Sequence, residues 1–279
     1  VNKKILVTGA TGFVGRQIIY SLANSEVFLF PVVRQGKENL VNNLPNVERV
    51  ISTPNLFAED AVWWASQCQD IDTIVHAAWY VEPGKYLQSS KNLDCLMGSL
   101  NLAKGAAKAR VRRFVGIGTC FEYELSSVDV LSVDTTLKPL TPYAGAKASL
   151  FVALSQWLPS QAIEFAWCRL FYLYGEGEDE RRLVPYLRSK LQNDEVAELS
   201  SGKQIRDFLN VTDVGSIISE VALGSKEGPI NVCSGVPITV RQLAEKIADE
   251  YDRRDLLKFG MRKDNLFDPP CVVGLPNWN

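Results

Sequence analysis

Through the first 170 residues, short runs that are almost wholly apolar alternate with longer stretches in which apolar residues recur every three or four positions. The runs are "KILVTG", "VFLFPVV", "DTIVHAA", "RFVGIGT" and "EFAWCRLF"; their length and β-branched, aromatic content predict strands. Between them, "GFVGRQIIYSLA" and "LDCLMGSLNLAKGAAKAR" keep the helical period. Strands with no polar face, separated by helices, imply a parallel sheet covered on both sides. The predicted fold is therefore α/β and doubly wound over residues 1–170. After Gly175 the pattern loosens into "GEGEDERRLVPYLRSKLQN", short strand-like pieces and the helical "TVRQLAEKIADEYDR". Residues 171–279 read as a smaller lobe, with the chain returning to the main sheet near 205–220.

Composition narrows the setting. A net charge of -2 offers no electrostatic reason for a nucleic-acid partner. The six cysteines form no CxxC pair and mostly sit inside apolar runs, as buried free thiols do. The chain starts "VNKKILVTGA" with no signal-like segment, and no apolar run reaches membrane-spanning length. A soluble, cytoplasmic protein without a membrane partner is expected, and no cluster of metal-ligating residues stands out.

The stretch "ILVTGATGFVG" places Gly9, Gly12 and Gly15 between a strand and a helix. Backbone N–H groups at a helix start can meet a pyrophosphate only where no side chain intervenes, so the loop, with Thr11, Phe13 and Val14, predicts a dinucleotide site. The larger domain is then Rossmann-type, and the C-terminal lobe would bind substrate. The second strand ends in Arg34, with Lys37 close behind and no carboxylate before Glu38. An acidic residue there would bind a ribose 2′-hydroxyl, whereas arginine accommodates a 2′-phosphate, so NADP is predicted over NAD.

"PLTPYAGAKASLF" sets Tyr143 one helical turn before Lys147. A free phenol, pKa near 10, is a poor proton donor at neutral pH. At about 4 Å and an effective dielectric near 20, an ammonium stabilises the phenolate by roughly 4 kcal/mol, about three pK units. Thr119, at the end of "RFVGIGT", would orient a carbonyl beside this pair. The only histidine, His76, ends an apolar strand and reads as a buried, hydrogen-bonded side chain rather than a general base.

With "TGATGFVG", "DTIVHAAW", "GTCFEY", "YAGAK", "RLFYLYG" and "RDFLNVTDV", the sequence resembles the extended short-chain dehydrogenase/reductases that act on nucleotide sugars. The resemblance implies a catalytic triad of Thr119, Tyr143 and Lys147, the lysine also holding the nicotinamide ribose. It implies that Asn55 and Leu56 lie by the adenine, that Ala77 and Ala78 line the cofactor cleft, and that Arg206 reaches the substrate diphosphate. Arg181 or Arg182 stands between assisting Arg206 and forming a solvated helix start. Trp79 is counted with the substrate contacts, as a hexose-facing wall or as ordinary packing. A homodimer through the helices of "LDCLMGSLNLAKGAAKA" and "YAGAKASLFVALSQWL" is also implied.

Departures from the family pattern narrow the reaction. Its 4,6-dehydratases place Asp and Glu after the catalytic Thr, where this chain has Cys120 and Phe121. Glu122 comes one position late, which in a strand would turn it to the other side. Cys95 and Tyr172 replace two asparagines of the pattern, and Asn92 stands one turn before Cys95. The C-terminal "DPPCVVGLPNWN" stops where relatives usually continue into another helix, so part of the substrate lobe is expected to be short or absent from this chain. The expectation is NADPH-dependent reduction of the C4 ketone of a nucleotide-linked 4-keto-6-deoxyhexose. A nucleotide-sugar epimerase with tightly bound NAD, and a non-catalytic NADP-binding regulatory module, are the alternatives.

Overall fold

The computed structural model describes residues 2–126, 129–265 and 268–278. Its centre is β1 (Lys3–Thr8), flanked in parallel by β2 (Val27–Arg34) and by β4 (Thr73–His76). Beyond β2 lies β3 (Ile51–Thr53); beyond β4 come β5 (Arg113–Thr119) and β6 (Glu164–Leu170). With β10 (Gly228–Val232) these form a seven-stranded sheet in the order β10-β6-β5-β4-β1-β2-β3. Side chains alternate across it. Ile5 and Val7 join α1 (Phe13–Ala23) and α6 (Val211–Leu223) in one core cluster. Leu6 joins a second, on the other face, with α2 (Ala61–Gln67), α3 (Lys91–Lys108) and α4 (Pro142–Ser160). Each aliphatic side chain so buried contributes about 1.5–3 kcal/mol. β3, three residues long, and α2, about two turns, are too short to stand out as elements in the sequence.

The smaller lobe begins at β7 (Tyr172–Tyr174) and continues through α5 (Leu183–Gln192), β8 (Ala197–Glu198) and β9 (Ile205–Asn210). Of the stretch 205–220, the first six residues are thus a strand of this lobe, and re-entry to the main sheet runs through α6 and β10. The chain then leaves again through β11 (Pro237–Thr239), α7 (Val240–Asp249), β12 (Leu257–Lys258) and β13 (Cys271–Val272). β9 pairs with β7, β11 and β13, and β8 pairs with β12. Leu187, Leu191, Ala244 and Ile247 form the lobe's own core between α5 and α7. Buried Asp207 on β9 accepts from Ser234 N and Oγ, Gly235 N and Gly274 N, fastening the excursions to one another.

Residues Cys120–Glu122 are a 3-10 turn rather than a continuation of the strand. The Thr119 side chain accepts from Phe121 N and the Glu122 carboxylate accepts from Thr119 N, a reciprocal cap that ends β5 at Thr119. All six cysteines are free. Among the described residues no helix is long and apolar enough to cross a membrane, and no group of His, Cys, Asp and Glu is placed to hold a metal.

Candidate active site

A cavity of about 690 Å³ opens between the C-terminal ends of the main-sheet strands and the smaller lobe. Crevices at this edge of an open parallel sheet are where such folds bind ligands. Gly9, Gly12 to Gly15, Ala77 and Ala78 border one side of it. Gly9 has φ +69, and a Cβ there would lie 2.8 Å from Ala78 N; one on Gly15 would lie 2.0 Å from Gly9 O. The loop therefore closes only with bare backbone. α1 starts at Gly12 without a side-chain cap, leaving its first N–H groups for an anion. This cradle fits a dinucleotide pyrophosphate.

Thr11, Arg34, Asn55 and Leu56, predicted at the cofactor, are not among the residues that border the open cavity. Thr11 lies half-buried in the glycine loop, and Arg34 is exposed at the end of β2. Glu38 is engaged by the Ser52 hydroxyl first and by Gly36 N, which hold its carboxyl below the usual range. Asn55 accepts from Phe57 N at 3.1 Å, and Leu56 packs against the core.

The structure brings Thr119, Tyr143 and Lys147 together at the cavity's inner wall. Thr119 ends β5. Tyr143 and Lys147 occupy the first turns of α4, whose N-cap Thr141 accepts from Ala144 N at 3.2 Å. Burial, then the neighbouring Tyr86 phenol, push the Tyr143 pKa up, and a hydrogen bond with Thr119 opposes them. Lys147 is buried. Its Nζ donates to Ile117 O at 2.6 Å and lies 3.8 Å from the Trp79 ring centroid. Burial lowers the Lys147 pKa to about 7, with Glu122 and Cys95 opposing.

His76 is buried, its Nδ1 2.8 Å from Thr8 Oγ1 and its Nε2 2.7 Å from Ser99 Oγ; burial and then Lys147 lower its pKa to about 3. That is a neutral structural imidazole. Cys120 is buried, its thiol pushed up to about 12 by burial first. Phe121 borders the cavity and meets Tyr172 edge-on, with centroids 6.1 Å apart.

Across the cleft, Arg206 borders the cavity with Nη2 2.7 Å from Asp268 Oδ2 and its guanidinium 5.0 Å from the Tyr172 ring. Arg182, which precedes α5, also borders it, 5.7 Å from the Tyr86 ring. Arg181 does not: it folds back on Asp179 through two hydrogen bonds and points to solvent. Periodicity alone had no means of separating these adjacent arginines. Three further cavity residues escaped the sequence reading. Tyr86 stands edge-on to Tyr143, centroids 4.8 Å apart; Glu178 carries a carboxyl raised to about 7 by burial; Asp268 partners Arg206. Each comes from a turn or loop with no motif to mark it.

A model of the NAD dependent epimerase/dehydratase family matches residues 5–233. The dTDP-6-deoxy-L-talose 4-dehydrogenase (NAD(+)) of Aggregatibacter actinomycetemcomitans is 23% identical over 274 residues, 97% of this chain and 98% of its own. Among solved structures, UDP-N-acetylglucosamine 4-epimerase from Methanobrevibacter ruminantium M1, in complex with UDP-N-acetylmuramic acid, superposes with a TM-score of 0.84 at 24% identity, covering 99% of this chain and 90% of that one. DesIV, a dTDP-glucose 4,6-dehydratase from Streptomyces venezuelae with NAD and TYD bound, gives 0.81 at 20% identity, covering 98% and 88%. At such identities the structural likeness speaks for the fold.

Proposed function

Because the chain belongs to the NAD-dependent epimerase/dehydratase family, an enzyme family of nucleotide-sugar chemistry, we propose that it uses NADPH to reduce the C4 ketone of a nucleotide-linked 4-keto-6-deoxyhexose. The observation that carries this reading is the pair of residues after Thr119. Eliminating water needs an acid and a base beside the threonine; Cys120 is a buried thiol held neutral and Phe121 moves no proton. Glu122 is occupied in the interior by Arg169 and Trp167. Beside Thr119 stand Tyr143 and Lys147, residue types suited to proton delivery in hydride transfer. The dehydrogenase relative named above acts at C4, and its oxidation is the reverse of the reduction proposed here.

When bound, the nicotinamide dinucleotide supplies the hydride. The glycine loop and the start of α1 would hold its pyrophosphate, and Arg34 with Lys37 would meet a 2′-phosphate. The relatives named above carry NAD in their names or structures, so the preference for NADPH rests on those two cations. Thr119 would donate to the C4 oxygen and Tyr143 would deliver its proton as that oxygen becomes an alkoxide. Lys147, charged, favours the phenolate left behind. Arg206 and Arg182 would take the diphosphate, Arg206 exchanging Asp268 for phosphate oxygens.

Leu93 and Met97 on α3 and Val152 on α4 are exposed apolar side chains on neighbouring helices, which supports a homodimer formed through them. The test of function is to mix the protein with NADPH and a panel of 4-keto-6-deoxy sugar nucleotides and follow the nicotinamide absorbance. Stoichiometric consumption is expected. Turnover with none consumed, from protein that purifies with NAD, would establish an epimerase instead; binding without turnover on any of them would leave a sensor.

A further inference from the structure

Two aromatic side chains flank the Tyr143/Lys147 pair, and both lead to one residue. The Trp79 ring lies 3.8 Å from Lys147 Nζ, and its Nε1 donates to Asn92 Oδ1 at 2.9 Å. The Tyr86 ring stands edge-on to Tyr143 at 4.8 Å, and Asn92 Nδ2 donates to the Tyr86 carbonyl at 2.6 Å and to Ser89 O at 2.9 Å. Asn92 is wholly buried on α3. Its amide thus makes three of the four hydrogen bonds open to it, the oxygen on the aromatic beside the lysine, the nitrogen on the turn that carries the aromatic beside the tyrosine. A carboxylate would lose the second link and an apolar side chain both.

We propose that Asn92 is the positioning residue for the catalytic pair, holding Trp79 against Lys147 and Tyr86 against Tyr143 from a single buried amide. The inference rests on the reading of Tyr143 and Lys147 as that pair. The physical work falls chiefly on the lysine. An ammonium stripped of water is unstable in this interior, and an indole face at 3.8 Å returns part of the lost stabilisation. The other titratable groups acting on it are Glu122 in the turn after β5, Cys95 on α3 and His76 on β4. Glu122 and Cys95 favour the charged lysine, but neither replaces a ring in contact with it. If the indole is allowed to turn, Lys147 loses charge at a lower pH, and with it the support for the phenolate.

The experiment compares Trp79→Phe, Asn92→Ala and the double variant with the parent, by single-turnover hydride transfer and by the pH profile of kcat. Loss of most, though not all, of a desolvated cation–π contact corresponds to about a tenfold change in rate. Each single variant is expected to slow transfer by about that factor, with dinucleotide affinity kept and the alkaline limb of kcat moved to lower pH. The double variant should be no slower than the slower single, since both cut one linkage. Multiplying losses, or an alkaline limb that stays in place, would overturn the proposal. If Asn92→Ala does not fold, the alkaline limb of Trp79→Phe decides alone. Tyr143→Phe separates the two readings: activity surviving there defeats the catalytic assignment itself, whereas a dead Tyr143→Phe beside parental Trp79→Phe and Asn92→Ala defeats only the role of Asn92.

Discussion

Glu122 and Arg169 form an ion pair with both side chains removed from solvent, Arg169 Nε lying 2.8 Å from Glu122 Oε2. The same carboxylate accepts from Thr119 N at 2.9 Å and from Trp167 Nε1 at 3.0 Å, while Arg169 Nη1 donates to the Tyr123 hydroxyl at 3.0 Å. A buried pair of this kind is costly to break from one side, because the remaining charge has no water to turn to. Glu122→Ala should lower stability by about 3–5 kcal/mol. Urea unfolding followed by tryptophan fluorescence measures this directly; a loss under 1 kcal/mol would show that the network is dispensable.

Removing the phenolic hydroxyl in Tyr143→Phe should cut reduction by on the order of 10²–10⁴, the usual worth of a positioned proton donor. Dinucleotide titration should remain normal, since the glycine loop is untouched. In the parent, reduction should fall as pH rises through the Lys147 pKa of about 7, because the neutral amine no longer favours the phenolate. Tyr143, whose pKa burial raises, stays protonated over the same range and does not set that limb.

His76 gives the fold an acid-sensitive component. Its pKa in the folded protein, about 3, lies below the ordinary imidazole value of 6.5, so the unfolded chain takes up a proton that the folded chain refuses. The stability contributed is present above pH 6.5 and is lost as pH falls toward 3. Between pH 7 and pH 5 this group alone accounts for ~2 kcal/mol. His76→Gln should flatten that part of the profile in paired urea melts, whatever it does to stability at pH 7.

Arg34→Ala should weaken NADPH binding by on the order of tenfold while leaving NADH almost unchanged, since a charge-assisted bond to a 2′-phosphate is lost and none to a hydroxyl. Fluorescence titration with the two reduced dinucleotides decides the matter. Equal effects on both would move the cofactor assignment to NAD.

Met97→Glu places a charge on the exposed apolar strip of α3. It should convert a dimer into a folded monomer in light scattering. A parent protein that already runs as a monomer would remove the proposed interface.

The alternation of apolar runs and amphipathic stretches was enough to read the parallel sheet and its major helices, because each strand buried on both faces must be apolar throughout and each covering helix must not. The glycine spacing was equally readable, since the turn at Gly9 and Gly15 has no room for a Cβ. Thr119, Tyr143 and Lys147 could be nominated because a strand end and one helical turn are local distances. Where the lysine's charge goes could not: its partners Ile117 O and Trp79 lie on β5 and in the segment after β4. The same holds for the choice of Arg182 over Arg181, for the burial of Glu122 with Arg169, and for the amide of Asn92 between Trp79 and Tyr86. Those contacts join segments far apart along the chain, and their energies depend on desolvation, which exists only once the lobes and layers have closed around them.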